Sequence, residues 1–140
     1  MRLAARISLG FGLSATALFG GVGAWWLHDE DQALQREVAH ELRAVAGALS
    51  LVPDGAPLAQ TRAQLEGFDP PLRLRPGQGP TEVTFGAHQA ELGLRRSAGP
   101  LVLARPLDDV HAAVTRARWQ VGGGVLALAA LTTLLASLLV

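Results

Sequence analysis

The chain has 140 residues, 49% hydrophobic, with twelve arginines, twelve acids and a formal net charge of zero. It contains no cysteine, which excludes a disulfide frame, a thiolate metal site and a cysteine nucleophile, and it contains no lysine. The charges are segregated: all twelve acids and ten of the arginines lie between His28 and Arg118, a stretch of net −2, and only Arg2 and Arg6 lie outside it.

That segregation reads as a membrane protein with one polar insert. Residues 1–6 form a short basic N-terminus, and Ile7 to Leu27 is an uncharged run long enough for a spanning helix. A secretory signal peptide is the rival reading, with Val22-Gly23-Ala24 as its cleavage site. The run exceeds the usual apolar core of a signal peptide, and Trp25 and Trp26 follow where interfacial aromatics belong. Within the run Ser8, Gly12, Thr16, Gly20 and Ala24 recur every four residues, a stripe of small side chains suited to close helix packing in lipid.

Residues 30–52 read as a helix. Leu34, Val38, Leu42, Val45, Leu49 and Val52 follow near-heptad spacing, and no Gly or Pro separates them from the first span. Pro53-Asp54-Gly55 stops this helix. Residues 53–105 are mixed. Pro57 to Glu66 reads as a short helix closed by Gly67. Short strands are expected at Leu72 to Arg75, Thr81 to Phe85, Ala90 to Arg96 and Leu101 to Arg105. Turn clusters separate them: Pro76-Gly77-Gln78-Gly79-Pro80, Gly86-Ala87-His88 and Ser97-Ala98-Gly99-Pro100.

Residues 107–118 form a second amphipathic helix. Leu107, Val110, Val114, Ala117 and Val121 lie on one stripe, and Asp108 and Asp109 favour the N-terminal end of the dipole. It leads into residues 119–140, an uncharged second span whose Ala129, Thr133 and Ser137 repeat the small-residue spacing. Two antiparallel spans put Trp25, Trp26 and Trp119 at one membrane surface. Arg2 and Arg6 favour a cytoplasmic N-terminus and an extracytoplasmic loop at 28–118, whereas Arg116 and Arg118 oppose that orientation. The fold class is therefore membrane α+β: two transmembrane helices extended into an extracytoplasmic helical pair, with a small antiparallel sheet between them. The second span runs to Val140, which reads as a connection to an output region beyond it.

Candidate chemistry is sparse. Arg73, Arg75, Arg95, Arg96 and Arg105 gather on the strand section and are candidates for holding an anionic ligand, against ordinary exposed positions on a small sheet. His28-Asp29-Glu30-Asp31 reads as a solvated helix start rather than a cation site, and Asp108 with His111 supplies too few ligands for a metal. No catalytic residue, cofactor or metal motif is present, and nothing favours nucleic acid. His40-Glu41-Leu42-Arg43 matches the start of a phospho-acceptor string of sensor kinases, but Ala44-Val45-Ala46 follows instead of Thr-Pro-Leu, so a packing helix explains it better.

The layout as a whole, and Leu101-Val-Leu-Ala-Arg-Pro-Leu-Asp-Asp-Val110 running through Arg116-Ala-Arg-Trp119 into the second span, resembles the N-terminal sensor region of bacterial membrane-bound two-component histidine kinases. The resemblance covers the chain as architecture and about 20 residues as sequence. It implies an inner-membrane homodimer that senses outside the cytoplasm and signals through the second span, with a response regulator reached only through a kinase region that this chain lacks. The alternative is a two-span interaction subunit that regulates another membrane protein through its small-residue stripe. An exported chain with the first run removed, and an enzyme, rank lower.

Overall fold

The computed structural model describes residues 2–53, 57–96 and 99–139, Arg2 by its backbone. The expected breaker at Asp54-Gly55, the Ser97-Ala98 turn, Met1 and Val140 lie outside them. Among the described residues three helices and four strands follow in the order α1 (Arg2–Ser50), α2 (Leu58–Glu66), β1 (Arg73–Pro76), β2 (Thr84–Phe85), β3 (Gln89–Arg96), β4 (Gly99–Pro106) and α3 (Asp108–Leu139). α1 and α3 are each long and apolar enough to cross a membrane. The chain divides into two units, residues 33–112 and a second formed by 1–32 with 113–140.

In the 33–112 unit the sheet is antiparallel throughout, in the order β1-β4-β3-β2. β4 is central and nearly all buried, because its Leu101, Val102, Leu103 and Ala104 place apolar side chains on both faces. The register sets Leu74, Leu103 and Leu92 side by side on one face. Val38, Leu42 and Leu49 of α1 are buried, with Leu107 and Val110 at the start of α3, as the helical spacing requires. Ala39 and Ala46 complete that seam, while Leu34, Val45 and Val52 are only half-buried. α1 ends at Ser50, two residues before the expected end. There the amides of Leu51 and Val52 reach back three residues to Ala48 and Leu49, tightening the last turn before Pro53. α2 ends against β1: the Leu72 amide donates to the Leu65 carbonyl at 3.0 Å, and both side chains are buried.

The strand expected from Thr81 shrinks to Thr84–Phe85. The cause is a close approach of two backbones. Gly79-Pro80 lies over Gly93 of β3, whose amide donates to the Pro80 carbonyl at 2.7 Å. A Cβ on Gly93 would stand 2.7 Å from that oxygen and 2.8 Å from the Gly79 carbonyl carbon and oxygen. The glycine inside β3 thus makes room for a loop, one of the standard uses of glycine within a strand.

In the other unit α1 and α3 run antiparallel: passing from Gly12 to Gly23 on α1 passes back from Thr133 to Val121 on α3. A Cβ at Gly12 would meet Thr133 Oγ1 at 2.7 Å, and one at Gly23 would meet Val121 Cγ1 at 2.6 Å. The large apolar side chains of both helices in this unit are mostly exposed.

Gly93→Ala should lower stability by about 1–3 kcal/mol, because backbone atoms rather than a movable side chain occupy the space. Chemical unfolding of the detergent-solubilised chain, with Gly47→Ala as the control with open space around it, measures the difference. Equal midpoints for the two variants would refute the close-packing account.

Candidate functional site

The five strand arginines do not converge. Antiparallel pairing puts Arg73, Arg75 and Arg95 on one face, and Arg105 and Arg96 on the other. Arg73 and Arg75 are exposed, and Arg75 Nη2 donates to Glu91 Oε1 at 2.7 Å. Gln89 Nε2 donates to the same oxygen at 2.6 Å, so Glu91 fixes both side chains. Arg95 is exposed. Arg96 serves another purpose: its Nη2 donates to the carbonyls of Val52 and Pro53, each at 3.0 Å, capping the chain just past the end of α1. A cation there suits the negative end of the helix. No local pattern announces this contact, because donor and acceptors are more than forty residues apart.

Arg105 is the one buried charged side chain among the described residues, 8% exposed. It stands on β4, three residues before α3 begins, and two carboxylates meet it. Asp109, in the first turn of α3, accepts from Nη2 at 2.9 Å and from Nη1 at 3.4 Å. Glu41 of α1 stands with Oε2 2.8 Å from Nε. The oxygen lies off the N–H axis, so Nε is buried without a hydrogen bond and that contact is held by charge alone. One guanidinium therefore links the α1 segment of this unit to the first turn of α3. Sequence reading placed Arg105 among surface ligand candidates. The alternation within Leu101 to Pro106, which puts Arg105 in line with Leu101 and Leu103, could have marked it as inward-facing.

The small-residue stripe meets α3 only in part. Ser8, Gly12 and Thr16 line an open groove of about 620 Å³ with Ala129, Thr133 and Ser137. Further along, contact passes to Gly23, a Cβ at Gly20 would meet nothing, and Ala24 is exposed. A spacing of four residues turns about 400° around a helix of about 100° per residue, so the stripe drifts off the seam by about 40° at each step. Three hydroxyls in the groove bond within their own helices: Thr16 to the Gly12 carbonyl at 2.8 Å, Thr133 to that of Ala129 at 2.7 Å and Ser137 to that of Leu134 at 2.7 Å.

His40 is exposed on α1, and His28 Nε2 lies 2.9 Å from Gln32 Nε2 one turn on. Asp108 and His111 are exposed. Among the described residues no three His, Asp or Glu side chains come together as a metal site. No protein family, curated protein or solved structure matches the chain.

The exposures around Arg105 predict an asymmetry. Removing both carboxylates, as in Glu41→Gln with Asp109→Asn, strands a buried guanidinium and should cost about 3 kcal/mol, near the low end for such a loss because Asp109 is half in water. Arg105→Met leaves two carboxylates that can turn to solvent and should cost less than about 1.5 kcal/mol. Unfolding midpoints of the two variants decide, and a costlier Arg105→Met would contradict a charge buried at net expense.

Proposed function

We propose that this chain is the membrane-embedded input module of a two-component sensor histidine kinase. In this reading residues 7–27 and 119–140 span the inner membrane, residues 1–6 are cytoplasmic, and residues 28–118 stand outside as the sensor. A homodimer passes the stimulus through the second span to a kinase region, and only that region acts on a response regulator. The observation that carries the reading is that α1 and α3 are each one unbroken helix joining an apolar segment to the sensor unit, and that Arg105 ties them to each other there through Glu41 and Asp109. A change in the sheet that moves Arg105 changes how the first turn of α3 is held against α1. The second span then shifts, rotates or tilts and biases a bistable element in the cytoplasm. A two-span subunit that regulates another membrane protein is the second reading, favoured by the open groove beside Gly12 and Thr133.

Topology is tested by alkaline phosphatase inserted at Gly77, which should be active, and by a fluorescent reporter at Val140, which should fold in the cytoplasm. An inactive phosphatase would reverse the orientation. Function is tested by joining the chain at Val140 to the linker and kinase core of a known sensor kinase, then inserting one to four alanines after Val114. Each added residue turns the helix beyond it by about 100°. Autophosphorylation in membranes should change several-fold after one or two insertions and recover toward the parent after four. Output that is flat across the series would sink the input-module reading and favour the subunit.

A further inference from the structure

The 33–112 unit has a cleft of about 480 Å³ between α2 and β1. Three arginines line it: Arg62 from α2, and Arg73 and Arg75 from β1. They come from two elements and were not brought together by any spacing in the sequence, since Arg62 lies on a helix and the others alternate along a strand. Arg75 is already oriented by Glu91 through one nitrogen, and a guanidinium carries five N–H donors. The side chains of Arg62 and Arg73 have no hydrogen-bond or ion-pair partner among the described residues. The acids nearby are Glu66, which also lines the cleft, and Glu91, which Arg75 and Gln89 occupy. With Arg75 paired to Glu91, two uncommitted cations, Arg62 and Arg73, face one uncommitted carboxylate, Glu66, so the cleft is positive in a chain segment that is negative overall.

We propose that the cleft between α2 and β1 binds a small oxyanion carrying two negative charges, a phosphate monoester or a dicarboxylate, through Arg62, Arg73 and Arg75. Arginine suits this ligand because its planar fork meets two oxygens of a carboxylate or phosphate at once. Residues of both α2 and β1 line the cleft, so a dianion bound by all three arginines bridges the two elements. β1 pairs with β4, and β4 carries Arg105. The site deepens the input-module reading by naming the class of stimulus, and it rests on that reading only for the consequence of binding. Arg95 shares the sheet face with Arg73 but lies outside the cleft, which makes it the natural control.

The test is isothermal titration of the full chain in neutral-lipid nanodiscs, at constant ionic strength in chloride, with inorganic phosphate and with succinate as probes. Saturable binding of at least one probe is expected, with the tighter probe identifying the source of the dianion. Arg62→Gln and Arg73→Gln should each weaken binding at least about tenfold, as the loss of a charge-assisted contact does, while Arg95→Gln stays within about twofold of the parent. Both substituted side chains are exposed, so the melting curve should not move. No saturable binding of either probe, parent-like binding by both cleft variants, or equal weakening by Arg95→Gln would each overturn the site. Binding that leaves output unchanged in the kinase fusion would overturn the input-module reading and leave the site standing. A fusion that answers to alanine insertion but binds neither anion would do the reverse.

Discussion

A buried guanidinium sets the terms for the 33–112 unit. Arg105 sits in line with Leu101 and Leu103 on a strand that is otherwise apolar. Burying a charge costs several kcal/mol before its partners return any of it. Leu42, Leu72 and Leu103 are buried with no such penalty, and truncating a leucine of that kind costs about 2–5 kcal/mol. The apolar side chains therefore supply the stability. What Arg105 adds is position: it meets one carboxylate on α1 and another on α3, and no leucine could enforce that pairing, because apolar contact is not directional. The off-axis Glu41 contact is the weaker of the two and the bidentate Asp109 the stronger. The arginine is therefore held more firmly by α3 than by α1.

The sheet around it is small, and its economy explains its shape. Eighty residues bury a limited fraction of their surface. β4 answers this by being apolar on both faces, and each face then needs a cover. One face holds Leu74, Leu92 and Leu103. On the other, Val102 lies under the Gly79-Pro80 loop, whose approach to Gly93 depends on two residues without side chains. The same loop shortens β2 to two residues. A short edge strand offers little to other chains, which is a common protection against edge-to-edge association.

How much of this was legible followed the range of the interaction. Periodicity and turn chemistry are local, so the helices, the four strands, Gly67 as a closing residue and the buried run of Val38, Leu42 and Leu49 could be read from the residues. Helix and strand ends moved by one to three residues where a specific contact took over, as when Leu51 and Val52 drew in the last turn of α1. Side-chain partnerships were not legible. Arg96 caps a chain segment more than forty residues away, and Arg62 faces Arg73 only because Leu72 docks on the end of α2. A set of arginines close in sequence was thus divided between two faces, a buried node and a cap. The small-residue stripe turns away from α3 for a geometric reason: its period of four is not the helical period, so of its members only Ser8, Gly12 and Thr16 line the groove with α3.

The two apolar segments meet through the size of their side chains and not through polar contact. Thr16, Thr133 and Ser137 satisfy their hydroxyls within their own helices, so the groove between α1 and α3 is shaped by the size of its residues and not by hydrogen bonds across it. Helices held only by close fit can slide or tilt without breaking a polar contact. α3 also contains Gly122, Gly123 and Gly124, where an added Cβ would meet nothing, so packing on α1 does not require them. In water each would weaken a helix by about 1 kcal/mol relative to alanine. In the proposed bilayer setting the balance is different, because a backbone amide or carbonyl left unpaired in hydrocarbon costs several kcal/mol. The lipid then enforces the hydrogen bonds that glycine would otherwise let go, and α3 stays a single helix from Asp108 to Leu139. A continuous helix in a loosely keyed pair is what the proposed input-module reading requires.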